Sequence, residues 1–95
     1  GKRSVESGTT VYFRKPDDWK DTISAYVYDE STGTVKQAAP WPGVPCELGE
    51  DGLYSYTFDE SWDNVLIIFP DGSNQIPGAM EPGLVVEADK IYGVG

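Results

Sequence analysis

Short runs of alternating apolar and polar residues follow one another along the chain, separated by clusters of Gly, Pro, Asp and Ser. No segment carries a sustained helical repeat, so the pattern predicts an all-β fold. Thr9 to Arg14 (TTVYFR) reads as the first strand, ended by Lys15-Pro16-Asp17-Asp18. Thr22 to Tyr28 (TISAYVY) reads as the second, closed by the turn Asp29 to Gly33, with Thr34 to Gln37 as a short return strand. Pro40 to Pro45 (PWPGVP) is a stiff loop, because proline fixes its own φ and restricts the residue before it. Asp51-Gly52 marks a tight turn leading into the alternating strand Leu53 to Phe58. After a turn at Asp59 to Asn64, Val65 to Phe69 (VLIIF) is continuously apolar, as a strand buried on both faces should be. A long loop from Asp71 to Pro82 then leads to two last strands, Leu84 to Val86 and Lys90 to Val94. The total is about seven or eight short antiparallel strands, the pattern of a sandwich or barrel.

Within the second strand, side chains alternate between faces. Ile23, Ala25 and Val27 form a compact apolar face, and Ser24, Tyr26 and Tyr28 form the other. Two tyrosines therefore stand side by side on the outer face. They suit a binding platform, or they cover the sheet edge or pack under a loop. Trp41 lies between Pro40 and Pro42, on restrained backbone that is hard to bury in a regular core. It is either a rigid exposed platform or a plug at one end of the sandwich. Pyranose rings present C–H faces that stack on aromatics and a rim of hydroxyls that hydrogen-bond to amides and charges. Lys36, Gln37, Asn74 and Gln75 could supply that rim, although Asn and Gln in loops also cap turns. Tyr54, Tyr56 and Phe58 share the inward face of their strand, Trp19 and Trp62 close the ends of the core, and only one of Tyr12 and Phe13 can point inward.

Length and charge narrow the possibilities further. The chain has 95 residues, enough for one domain. Gly1 to Gly8 is polar and aperiodic and reads as a flexible linker or remnant outside the fold, leaving 9–95 as a single domain. Seven Lys and Arg against 16 Asp and Glu give a net charge of −9, which disfavours nucleic acid and anionic membrane surfaces but not a neutral sugar. Without histidine, Ser-His-Asp and Cys-His catalysis and the commonest zinc ligand are excluded. Cys46 is the sole cysteine, so there is no internal disulfide; it reads as a small buried apolar group. The acidic groups Asp17/Asp18/Asp21, Glu47/Glu50/Asp51 and Asp59/Glu60/Asp63 lack calcium-loop spacing, and nothing pairs two carboxylates in a cleft. No metal or cofactor is expected, and no catalysis.

VYFRKPDDW (11–19), AYVYD (25–29), AAPWPGVP (38–45), DGLYSYTF (51–58) and IIFPDGSNQIPG (67–78) occur in the order found in starch-binding carbohydrate-binding modules of family 26, which the chain resembles from about Val11 to Val86. Cys46 stands where many of those modules carry Met, and Pro70 where a polar residue is commoner. The resemblance implies an immunoglobulin-like β-sandwich without catalytic activity, appended to extracellular bacterial amylases. It would be a monomeric module of a larger protein, binding α-1,4-glucan as malto-oligosaccharide or starch. It also implies that Tyr26, Tyr28 and Trp41 stack on sugar, with Gln75 first among the polar contacts and Lys36 and Asn74 after it. The rival reading is a structural or adhesion immunoglobulin-like domain whose aromatic patch meets a protein.

Overall fold

The computed structural model describes residues 4–78 and 81–93. Among the described residues ten strands form two facing sheets: β1 (Thr10–Arg14), β2 (Ser24–Asp29), β3 (Lys36–Gln37), β4 (Val44–Pro45), β5 (Glu47–Leu48), β6 (Tyr54–Thr57), β7 (Leu66–Pro70), β8 (Gln75–Ile76), β9 (Leu84–Val85) and β10 (Ile91–Gly93). One sheet runs β10-β1-β6-β5; the other runs β3-β2-β7-β8, with β4 also pairing β2 and β9 also pairing β7. This is the expected all-β sandwich with two differences. The expected set missed β4, β5 and β8, each two residues long and so too short to alternate. The pairing is also not wholly antiparallel, because β1 and β10 run parallel, Tyr12 opposite Ile91. The chain reaches β10 by crossing from β9 in the other sheet, so no hairpin imposes the reversed direction. Val94, assigned to the last strand from sequence, lies outside the described residues.

Alternation explains the core. Val11 and Phe13 of β1, Ala25 and Val27 of β2, Tyr54 and Tyr56 of β6, and Ile67 and Phe69 of β7 meet between the sheets. Phe13 stacks on Phe69 at 4.9 Å between ring centroids, joining β1 to β7 across the sandwich. Phe13 is thus the inward member of its pair with Tyr12, and Trp62 is buried as expected. Cys46 packs against this core, and burial pushes its thiol up to about 12, which keeps it protonated and inert. Of the linker expected over 1–8, residues 1–3 lie outside the described residues, and residues 4–8 are tied to the fold. Val5 is buried and exchanges two backbone hydrogen bonds with Trp62, and the Gly8 amide donates to the Phe58 carbonyl. One apolar residue among polar neighbours is no periodic signal, and the backbone hydrogen bonds that dock the segment leave no mark in its composition.

Two buried carboxylates tie loops to the sheets. Asp71 accepts hydrogen bonds from the backbone amides of Lys20, Ser73 and Asn74 and from the Asn74 side chain. Burial works to raise its pKa, but these four donors outweigh it and hold the carboxyl well below the usual range. The Ser31 hydroxyl and amide, with the Asn64 amide, likewise lower Asp29. A depressed native pKa contributes stability that is complete above the unfolded value of about 3.9 and is lost as pH falls through the native one. The melting temperature is therefore expected to hold from pH 7 to about 5 and to fall steeply below about 4. Calorimetry on Asp71→Asn should show a lower melting temperature at pH 7 and a flatter acid limb; a wild-type acid limb retained by the variant would contradict this role.

Candidate functional site

The outer face of the six-stranded sheet carries Tyr26, Tyr28 and Trp41. Because Ala25 and Val27 point into the core, Tyr26 and Tyr28 point outward, opposite Ile68 and Leu66 of β7. The two tyrosine rings pack over those aliphatic side chains in a second, smaller apolar cluster. That explains the continuous apolar run of β7: Ile67 and Phe69 serve the main core, Leu66 and Ile68 support the outer rings.

β3 and β4 pair with different stretches of β2 along the same edge, and the loop between them spans Tyr26. The Ala38 amide donates to the Val27 carbonyl at one end, and Val44 pairs with Ala25 at the other. The loop closes with the Gly43 amide donating to the Pro40 carbonyl. Gly43 has φ +104°, and a Cβ there would sit 2.3 Å from the Ala25 carbonyl oxygen, so the loop backbone lies directly on β2. Trp41 at its apex keeps 51% of its surface exposed. Its ring lies 5.2 Å from that of Tyr26, inclined at 61°. Tyr26 and Tyr28 follow at 5.4 Å and 28°. Strand parity and the proline-flanked loop therefore do bring the three aromatics named from sequence into one row.

They are not equally accessible. Tyr28 is 8% exposed, because the Gly83 backbone crosses it: the Gly83 amide donates to the Tyr28 hydroxyl at 2.8 Å. A Cβ on Gly83 would lie 3.0 Å from the ring. Of the two roles open to Tyr28 in the sequence, packing under a loop is the one its surroundings fit. Tyr26 is half-buried, and its hydroxyl donates to Gln37 Oε1 at 2.6 Å.

The polar candidates separate. Gln75 pairs with Pro70 at the far edge of the same sheet and is half-buried, its side-chain amide donating to the Pro77 carbonyl. Asn74 is a turn residue, its side-chain amide bound to Asp71. Lys36 does not join the aromatic row. Its neighbour Gln37 lies opposite Tyr28, so alternation along β3 turns Lys36 away, where Nζ meets Glu60 at 2.6 Å and the Trp62 ring at 4.2 Å. Gln37, adjacent to Lys36 and of opposite parity, is the side chain that reaches Tyr26. Only the β2–β3 register distinguishes the two, and a two-residue strand carries no register in its sequence. Gly83, whose backbone covers Tyr28, also has no distinguishing signal in the sequence, since a lone glycine after Pro82 marks only a turn.

Trp41 and the uncovered part of Tyr26 lie at the surface, while Gly83 covers Tyr28. Grooves of about 250, 480 and 330 Å³ lie elsewhere, lined respectively around Tyr56, Tyr92 and Lys15, and none includes Tyr26 or Trp41. A ligand here would be held by stacking and rim hydrogen bonds rather than by enclosure.

Comparison with known proteins identifies the family of the fold. Residues 11–81 match the family model of starch-binding module 26. The chain is similar to the solved CBM26 of a Bacillus halodurans amylase, with 33% identity, a TM-score of 0.67, and coverage of 93% of this chain and 88% of that one. It is similar also to that amylase module in complex with maltose, with 32% identity, a TM-score of 0.68 and 90% coverage of both chains. A family match over most of the fold, joined to about a third of residues identical in structures of the same shape, places this chain in the CBM26 family of starch-binding modules.

Proposed function

We propose that the domain binds α-1,4-glucan without a chemical step, through Trp41 and Tyr26 as the stacking surface and Tyr28 as the ring that supports Tyr26. The observation that carries this reading is the half-exposed Trp41 set at 61° beside Tyr26. An α-1,4-linked chain curves, so successive glucose faces suit inclined rings; a β-1,4-linked chain is extended and suits coplanar ones. The related module solved with maltose supports the same class of ligand. An exposure of 8% leaves Tyr28 only about 15–20 Å² of accessible surface, well short of the ~40–60 Å² a sugar face covers. Two rings at about 1–1.5 kcal/mol each give ~2–3 kcal/mol from apolar contact. With rim hydrogen bonds and the cost of association, soluble oligosaccharide should bind with Kd on the order of 10⁻³ to 10⁻⁵ M. Firm attachment to granules then comes from many chains and from linked modules acting together. In this reading the domain is a monomeric module of a secreted, extracellular starch-degrading protein and concentrates substrate for a catalytic domain.

Granular starch should deplete the domain from solution, soluble maltoheptaose should release it, and microcrystalline cellulose should leave it in the supernatant. Equal retention on both polymers, or on neither, would overturn the proposal. Lys36→Ala should change maltoheptaose affinity by less than about twofold, because Lys36 is engaged by Glu60 and Trp62 away from the rings. A loss of tenfold or more in titration calorimetry would return Lys36 to the site.

A further inference from the structure

The hydroxyl of Tyr26 is committed as a donor to Gln37 Oε1 at 2.6 Å. A phenolic group has one proton, so this bond leaves its oxygen lone pairs as acceptors on the ligand side. Gln37 is exposed on the edge strand β3, and its Nε2 has no hydrogen bond to the described residues. Its two N–H donors therefore stand next to the Tyr26 acceptor, at the margin of the aromatic row. The pair presents donor and acceptor side by side. Adjacent equatorial hydroxyls of a glucose ring, each able to give and to take a hydrogen bond, are complementary to such a pair.

We infer that Gln37 and the Tyr26 hydroxyl act as one unit that reads a vicinal diol of the glucose residue lying on Tyr26, one hydroxyl donating to Tyr26 Oη and its neighbour accepting from Gln37 Nε2. This rests on the proposed glucan site and adds the residue that fixes which edge of the sugar faces β3. Gln37 also orients the phenol, since by accepting the Tyr26 proton it keeps the phenol oxygen free for the sugar. Stacking tolerates any sugar with an apolar face, whereas this pair discriminates. A sugar lacking the diol would leave the Tyr26 lone pairs and the Gln37 Nε2 donors unpaired wherever it displaces water from them.

Maltoheptaose titrations at pH 7 on four variants test the assignment. Gln37→Glu keeps an acceptor for Tyr26 but removes the donors; Gln37→Leu removes both; Tyr26→Phe removes the phenol oxygen; Tyr26→Phe with Gln37→Leu completes the cycle. Each single change should weaken binding about five- to tenfold with an unchanged melting temperature, because Gln37 is exposed and the Tyr26 ring is retained. The double variant should be little weaker than the worse single one, as expected of coupled groups. Gln37→Glu binding within twofold of wild type, or losses that multiply in the double variant, would overturn the inference. Trp41→Ala is run beside them. If it loses binding while the Gln37 variants do not, this inference fails alone; if it binds like wild type, the glucan site itself fails and the inference with it.

Discussion

Trp41→Ala is expected to lower affinity for maltoheptaose about 30- to 100-fold while shifting the melting temperature by less than about 2 °C. In the proposed site the indole would contribute ~1–1.5 kcal/mol of apolar contact with a sugar face, and ring stacking would add ~0.5–1.5 kcal/mol beyond area. Its loss also removes the wall that inclines the glucan chain against Tyr26. Together these come to about 2–3 kcal/mol, enough to carry a Kd near 10⁻⁴ M to 10⁻² M, beyond ordinary calorimetric detection. Stability is spared because Trp41 lies outside both apolar clusters and remains half exposed. A variant that unfolds, or that binds within threefold of wild type, would contradict the role given to this ring.

Gly43→Ala should do as much damage to binding without touching any ring. Gly43 has φ +104°, and the added Cβ would lie 2.3 Å from the Ala25 oxygen and 2.7 Å from both Ala25 C and Tyr26 Cα. All three are backbone atoms of the central strand beneath the site and cannot swing aside. The loop must lift off β2, taking Trp41 away from Tyr26 and loosening the pairing of Val44 with Ala25. We expect a loss of about 2–4 kcal/mol of stability, a fall in melting temperature of roughly 10 °C or more, and binding as weak as in Trp41→Ala. Gly33→Ala is the control. Gly33 has φ +87° but nothing within 4 Å of the added Cβ, so it should cost on the order of 1 kcal/mol and leave affinity unchanged. Equal affinity in Gly43→Ala and wild type, measured by titration below the melting transition, would show that seating of the loop on β2 is not what presents Trp41.

These two residues show where sequence reasoning reached and where it stopped. Period-two alternation in TVYFR, SAYVY and LYSYTF revealed the long strands and their inward faces, because several residues vote for one parity. The same parity put Tyr26 and Tyr28 on a common face, and two flanking prolines marked Trp41 as rigid. Sequence could not show that Gly83 lies over Tyr28, nor that Gln37 rather than Lys36 meets Tyr26. Both depend on which segment is laid beside β2 and in what register, and β3 has only two residues with which to signal it. In the sequence the Asn74 amide suits a sugar rim, yet in the fold it serves Asp71, a bond that exists only once the turn has closed. The docking of Val5 on Trp62 was hidden for the same reason: a long-range bridge leaves no local pattern.

The central claim is that this face recognises a curved α-linked glucan through inclined aromatic rings. Titration calorimetry of the domain with maltoheptaose, and separately with cellohexaose, tests it most directly, since the two sugars share glucose units and differ in linkage and hence in shape. The account predicts saturable binding of maltoheptaose with Kd on the order of 10⁻³ to 10⁻⁵ M and no binding of cellohexaose at millimolar concentration. Equal affinity for both sugars, or no heat with maltoheptaose from a folded domain, would contradict it.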